Sequence, residues 1–93
     1  MFCNLEEGSL PVFFEWSKNG QTLKASPHVN YKIESSEIQS QFVIKKISRT
    51  DSSNYTCLVK NAFGSDSQSV MLLIKGRNNL LNIYILIIIN FIL

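Results

Sequence analysis

The chain has 93 residues, of which nine are basic and seven are acidic, so its net charge at pH 7 is +2. This length suits one small domain. So weak a charge does not favour a nucleic-acid partner or binding to an anionic membrane. The composition changes near residue 75. Residues 1–75 mix apolar and polar types as a globular domain does, whereas the C-terminal tail, residues 76–93, uses only Gly, Arg, Asn, Leu, Ile, Tyr and Phe.

Short strand signals with turn residues between them follow one another along residues 1–75. Several segments alternate apolar and polar side chains, for example Val12, Phe14 and Trp16 on one predicted face. The dipeptide Asn19-Gly20 predicts a tight turn, because both residues tolerate positive φ. This pattern predicts an all-β sandwich. The predicted strands cover residues 2–5, 12–18, 21–23, 29–35, 39–47, 54–61 and 66–75.

Cys3 and Cys57 are the two cysteines, and His28 is the one histidine. A tetrahedral zinc site takes three or four ligands of these types, so we expect neither a metal nor another cofactor. Two widely separated cysteines in a small β-rich chain predict one long-range disulfide, which requires an oxidising compartment.

No set of residues predicts catalysis. The carboxylate pairs Glu6-Glu7 and Glu34/Glu37 lie in polar loop surroundings, where solvated side chains are expected. Ser35-Ser36 has no plausible histidine partner, and the chain has no glycine-rich phosphate loop. We therefore expect a binding protein and not an enzyme.

Cys3, Trp16, Tyr55 and Cys57 follow the order and spacing of an immunoglobulin sandwich. The resemblance implies that Cys3 on strand B is bonded to Cys57 on strand F. It also implies that Trp16 on strand C packs against this disulfide. Tyr55, two residues before the second cysteine, is expected to form a corner with its hydroxyl on a backbone carbonyl, close to Asp51 at the same turn.

Further motifs resemble the I-set subclass of immunoglobulin domains in adhesion proteins. They are Trp16-Ser17-Lys18-Asn19-Gly20, Phe42-Val43-Ile44-x-x-Ile47 and Asn61-x-x-Gly64. Within this subclass the chain resembles domains of the arthropod Down syndrome cell adhesion molecule family. That likeness is carried by Gly8-Ser9-Leu10-Pro11, Phe14-Glu15-Trp16 and Asn54-Tyr55-Thr56-Cys57.

The chain departs from the I-set pattern in two places. Asn30 stands where many members have an arginine that pairs with the corner aspartate, so we expect Asp51 to use backbone N–H groups of its turn or Lys32 instead. The sequence also reads as a sandwich truncated before strand B, without strands A and A′. We therefore expect the outer edges of strands B and G to be bare, and a chain of residues 1–75 to be unstable or to associate.

Two kinds of surface site are predicted on strands C, F and G. Asn54-Tyr55-Thr56 is an N-x-T sequon and predicts a glycan on Asn54. Outward-facing apolar side chains in one sheet predict a protein-binding patch. The residues of this candidate interface are Phe13, Leu58, Met71 and Leu73.

The tail has two interpretations, which stay open. Residues 80–93 are apolar except for Asn82 and Asn90, but as a helix they would span only about 21 Å of a roughly 30 Å hydrocarbon core. One interpretation is a short membrane segment, and the other is translated intron sequence that begins after Lys75.

The resemblance implies an extracellular module of a cell-surface receptor that binds protein partners, either itself or another surface protein, in cell adhesion or axon guidance. The parent chain would supply the membrane attachment. Two alternatives remain: an intracellular structural domain of the muscle type, and the ligand-binding ectodomain of a receptor kinase.

Overall fold

The computed structural model describes residues 1–24, 26, 29–74 and 88–93. This part of the chain forms eight strands and a 3-10 turn at Arg49–Asp51. The strands are β1 (Phe2–Glu7), β2 (Phe13–Lys18), β3 (Gln21–Thr22), β4 (Tyr31–Ser35), β5 (Gln39–Ile44), β6 (Ser53–Asn61), β7 (Gly64–Leu72) and β8 (Ile88–Ile92).

The strands form two four-stranded sheets, with the orders β4-β5-β1-β8 and β3-β2-β6-β7. The predicted all-β sandwich is therefore confirmed, and strands β1 to β7 lie where the sequence predicts them. Their ends differ by a few residues. For example, β7 begins at Gly64 because Asn61 and Gly64 already pair across a loop of Ala62 and Phe63.

The turn between β2 and β3 is the predicted one. Asn19 has a φ of 49° and Gly20 a φ of 82°, and both values lie in the left-handed region. Two central residues with positive φ match the twist of the flanking strands. The turn thus brings Lys18 opposite Gln21.

The core lies between the two sheets. It is built from every second side chain along the strands, because successive side chains point to opposite faces of a sheet. Phe42 is at its aromatic centre, with its ring centroid 5.5–5.6 Å from those of Trp16, Tyr31 and Tyr55. The buried apolar residues are Cys3, Leu5, Val12, Trp16, Phe42, Tyr55, Cys57, Val59, Leu72, Ile74, Ile89 and Phe91.

One edge differs from the expectation. The outer edge of β1 is not bare, because β8 pairs with it in parallel, whereas the other strand pairs among the described residues are antiparallel. The expectation of a bare β1 edge is wrong because Ile89 and Phe91 of β8 are apolar enough to be buried there. Residues 75–87 lie outside the described residues, so both interpretations of the tail stay predictions. No described helix is long and apolar enough to cross a membrane.

Candidate functional site

The outward face of the β3-β2-β6-β7 sheet carries the four predicted interface residues. The β2–β6 register places Phe13 opposite Lys60 and Glu15 opposite Leu58. Phe13 and Leu58 are thus diagonal neighbours, about 7–8 Å apart and within reach of large side chains. Phe13 is 60% exposed, and Leu58 is partly buried. We call Phe13 and Leu58, with Glu15 and Lys60 beside them, the Phe13 end of the face.

Met71 and Leu73 lie at the opposite end of the same face. Met71 is 71% exposed and Leu73 59% exposed. Met71 pairs with Asn54, which is four residues before Leu58 on β6, a distance of about 13 Å along the strand. Between the two ends, Thr56 and Ser69 are joined by a 2.7 Å hydrogen bond between their hydroxyls. The structure therefore brings Phe13 near Leu58 but separates both from Met71 and Leu73 by a polar row.

Asn54, the residue of the sequon, lies at the start of β6 with an exposed side chain. Its backbone is held by Asn19, whose Oδ1 accepts from the Asn54 N–H at 3.1 Å and whose own N–H donates to the Asn54 carbonyl at 2.8 Å. The β2–β3 turn thus fixes the backbone at the sequon while the Asn54 side chain stays open to solvent.

The Cys3–Cys57 disulfide is formed, and it links β1 of one sheet to β6 of the other. The two Cα atoms are 6.6 Å apart, and both residues are fully buried. Trp16, which pairs with Cys57, is 2% exposed and lies beside this bond. These three residues hold the sheets together and present nothing to a partner.

The indole of Trp16 has a partner that the sequence pattern does not identify. Its Nε1 donates to Ser40 Oγ at 2.9 Å, and the Ser40 hydroxyl lies 2.8 Å from that of Ser35. Ser40 is fully buried and pairs with Cys3 across β1 and β5. A buried Trp does signal that an acceptor is needed, but only the pairing of β5 with β1 identifies which serine supplies it.

Tyr55 forms the corner that the resemblance implies. Its hydroxyl donates to the backbone carbonyl of Asp51 at 2.6 Å. Burial, followed by the negative charge of Asp51, raises the pKa of Tyr55 from 10.0 to about 12. The Lys18 ammonium lies 6.0 Å from the centre of the Tyr55 ring and donates to the Thr50 carbonyl at 3.3 Å. The hydrogen bond from Tyr55 and the contacts of Lys18 thus both hold the turn at Asp51.

Asp51 and Asn30 each have a local partner. Asp51 Oδ2 accepts from the Ser48 N–H at 2.8 Å, so of the two expected arrangements the structure has the one that uses its own turn. Lys32 instead forms an ion pair with Glu34 at 2.6 Å. Asn30 binds the backbone of Lys46 twice, donating to its carbonyl at 2.8 Å and accepting from its N–H at 3.1 Å. Asn30 thus uses its amide on the backbone just after β5, whereas the Asp51 carboxylate uses its own turn.

The described residues contain no group of three or more His, Cys, Asp or Glu side chains arranged to hold a metal ion. His28 lies outside the described residues.

Residues 2–74 match the model of the immunoglobulin I-set domain. The chain is 32% identical over 73 residues to the cell adhesion molecule DSCAML1 of Mus musculus, covering 78% of this chain and 4% of that protein. It is also 32% identical over 73 residues to the cell adhesion molecule Dscam1 of Drosophila melanogaster, covering 74% and 4%.

Among solved structures, an I-band fragment of titin containing domains I67–I69 matches with a TM-score of 0.62 and 30% identity. This match covers 69% of the chain and 22% of the titin fragment. The chain spans about 4% of the length of the curated adhesion proteins it matches. Sequence motifs, topology and comparisons agree, and the chain belongs to the immunoglobulin I-set family.

Proposed function

We propose that this chain is an extracellular binding module of a multidomain cell-surface receptor and acts in cell adhesion, including axon guidance. The observation that carries the proposal is the buried Cys3–Cys57 disulfide. Such bonds persist in oxidising compartments and are rare in the cytosol. The likeness to the cell adhesion molecules DSCAML1 and Dscam1 supports the same role. Membrane attachment would come from the parent chain, and the module acts by binding and not by catalysis.

The Phe13 end is the part of the outward face that we propose as the contact surface. Phe13 and Leu58 supply an apolar centre, and Glu15 and Lys60 place one charge of each sign beside it. An apolar centre within a polar rim is the usual anatomy of a protein–protein interface. The partner is a protein surface, either a second copy of the chain or another cell-surface protein.

Bead clustering tests this contact surface. If the partner is a second copy of the chain, beads that carry the full chain at equal density are expected to cluster with one another; if it is another surface protein, they are expected to bind cells that display it. In either case Phe13→Ser/Leu58→Ser is expected to reduce the binding at least tenfold. The matched control is Met71→Ser/Leu73→Ser, which changes the same number of outward apolar residues beyond the polar row and should leave clustering within about twofold.

The melting temperature of both variants should stay close to that of the parent chain, because surface substitutions seldom change stability by more than about 0.5 kcal/mol. Clustering that survives Phe13→Ser/Leu58→Ser would contradict the proposed surface. Beads that neither cluster nor bind a cell that displays the chain would contradict homophilic adhesion.

A second candidate is an intracellular structural domain, because the chain is 30% identical to the titin fragment over 69% of its length. The two candidates differ in the redox state of Cys3 and Cys57. Thiol titration of the chain isolated from its native cells, unfolded without reductant, should find no free thiol if the module is extracellular and two if it is intracellular.

A further inference from the structure

Strand β8 occupies the edge of β1 at which strand A borders strand B in an immunoglobulin sandwich. Its direction is parallel to β1, and its register places Ile89 beside Cys3 and Phe91 beside Leu5. The segment therefore takes the position that strand A has in such a sandwich, but it enters the sheet from the C-terminal side of the chain.

The side chains of β8 alternate between core and solvent. Ile89 is 4% exposed and Phe91 1% exposed, whereas Ile88 is 53% exposed and Ile92 69% exposed. Ile89 and Phe91 belong to the same core cluster as Cys3. β8 thus fills the interior of the sandwich beside the disulfide, where its absence would open the core to water.

A row of three amides sets the register of β8. Gln39 Nε2 on β5 donates to Asn4 Oδ1 on β1 at 2.9 Å, and Asn4 Nδ2 donates to Asn90 Oδ1 on β8 at 3.3 Å. A slip of one residue would turn Asn90 inward and Ile89 outward. Asn90, a polar residue in an otherwise apolar segment, therefore has a structural role.

Two further hydrogen bonds hold β8 and the residue that follows it. The Leu93 N–H donates to the Glu7 carbonyl at 2.7 Å, and Gln68 of the opposite sheet donates to the Asn90 carbonyl at 3.3 Å. Gly8 leaves room for this approach, because a Cβ atom there would collide with the Leu93 carbonyl oxygen. The strand thus contacts both sheets.

We propose that the outer edge of β1 is a strand-accepting site and that residues 88–92 of the same molecule are its ligand. The site takes an extended segment with the pattern apolar, polar, apolar, supplied here by Ile89, Asn90 and Phe91. Such strand addition combines backbone hydrogen bonds with pockets for alternate side chains. The proposal does not depend on the compartment or partner of the module.

The length of the chain allows β8 to come from the same molecule. Fourteen residue steps separate Ile74 from Ile88. An extended chain of this length reaches roughly 46–50 Å. The longest dimension of the molecule is 46 Å, so the connection can reach the β1 edge.

A matched pair of substitutions in the full chain tests the burial of β8. Ile89→Ala removes an inward side chain and is expected to lower the melting temperature by roughly 10 °C or more. Ile88→Ala makes the same change at the adjacent outward position and is expected to shift it by less than about 4 °C. Equal shifts for the two variants would overturn the proposal.

A cross-link tests the pairing without weakening the core. Asn4 and Asn90 are register partners, and adjacent strands lie about 4.8 Å apart, so Asn4→Cys/Asn90→Cys places two cysteines within the range of a disulfide. Oxidation at low protein concentration is expected to give a monomer with a 4–90 cross-link, identified by peptide mapping without reductant. The control Asn4→Cys/Ile92→Cys is out of register and should cross-link at least tenfold less.

The cross-linking outcomes separate the sources of the strand. A covalent dimer joined through positions 4 and 90 would show that a second copy supplies the strand, and this would overturn the assignment to the same molecule. Equal cross-linking of the two cysteine pairs, or none, would overturn the pairing itself.

Discussion

At the scale of single residues, the two large aromatic side chains that carry polar atoms into the core both find acceptors. Trp16 donates to Ser40 Oγ, and Tyr55 donates to the Asp51 carbonyl. A buried polar group left without a partner costs about 1–3 kcal/mol, so each bond matters mainly for the penalty it avoids. Asn30, which stands where many members have an arginine, is exposed, and its amide binds both the N–H and the carbonyl of Lys46.

The raised pKa of Tyr55 predicts a loss of stability at high pH. The hydroxyl has a pKa of about 12 in the folded protein against 10.0 for an unperturbed tyrosine, so folding favours its protonated form. This contribution is complete below pH 10 and is lost as the pH rises from 10 to about 12. The melting temperature of the wild-type chain should fall across this interval.

Tyr55→Phe is the control, because it removes the ionising hydroxyl and keeps the ring. The variant should be less stable by about 1 kcal/mol below pH 10, where the hydrogen bond to Asp51 is lost. The difference in the free energy of unfolding between the two chains should shrink between pH 10 and 12. A constant difference would contradict the shifted pKa.

At the scale of elements, β6 contributes both to the core and to the candidate binding face. Its inward residues Tyr55, Cys57 and Val59 are buried, and its outward residues Asn54 and Leu58 lie on the candidate binding face. Because Asn54 pairs with Met71, a glycan on Asn54 would cover one end of this face and leave the Phe13 end open.

The sequon therefore predicts a glycan that shields Met71. The chain secreted from eukaryotic cells is expected to carry one N-glycan, lost in Asn54→Gln, and peroxide is expected to oxidise Met71 several-fold more slowly in the glycosylated form. Peptide mass mapping measures both. Met1, whose amino group donates to the Phe42 carbonyl of the opposite sheet, is the internal control and should be oxidised at the same rate in both forms.

No change in mass on glycosidase treatment would show that the sequon is unused. Equal oxidation of Met71 in glycosylated and unglycosylated chains would contradict the shielding.

At the scale of the whole molecule, one disulfide ties the N-terminal strand to the middle of the chain, and one added strand ties the C-terminal residues to that same N-terminal strand. The disulfide joins residues 54 positions apart, and β8 brings the C-terminal residues beside β1. Small domains bury a limited fraction of their surface, so such constraints carry much of their stability.

Removing the disulfide is expected to destabilise the full chain strongly. Closing a loop of 54 residues contributes about 4 kcal/mol on the chain-entropy model. Cys3→Ala/Cys57→Ala should lower the free energy of unfolding by roughly 2–5 kcal/mol, measured by urea denaturation. If the variant is as stable as the oxidised chain, the bond adds nothing and no longer argues for an oxidising compartment.

The local pattern of residues was enough to predict much of this protein. Alternation identified the inward faces of β2 and β6, Asn19-Gly20 identified the turn, and the spacing of Cys3, Trp16 and Cys57 identified the sandwich and its disulfide. These features follow from the sequence because each depends on local conformation or on a recurring long-range pairing.

The tertiary structure alone decided three other features: the Ser40 acceptor for Trp16, the division of the outward face by Thr56 and Ser69, and the docking of β8. Each depends on which residues of distant strands stand opposite one another. Residues 88–92 have no local property that distinguishes a free segment from a paired strand. Whether they pair depends on whether an unpaired edge with apolar pockets lies within their reach. The edge of β1 is such a site, and only the folded arrangement shows it.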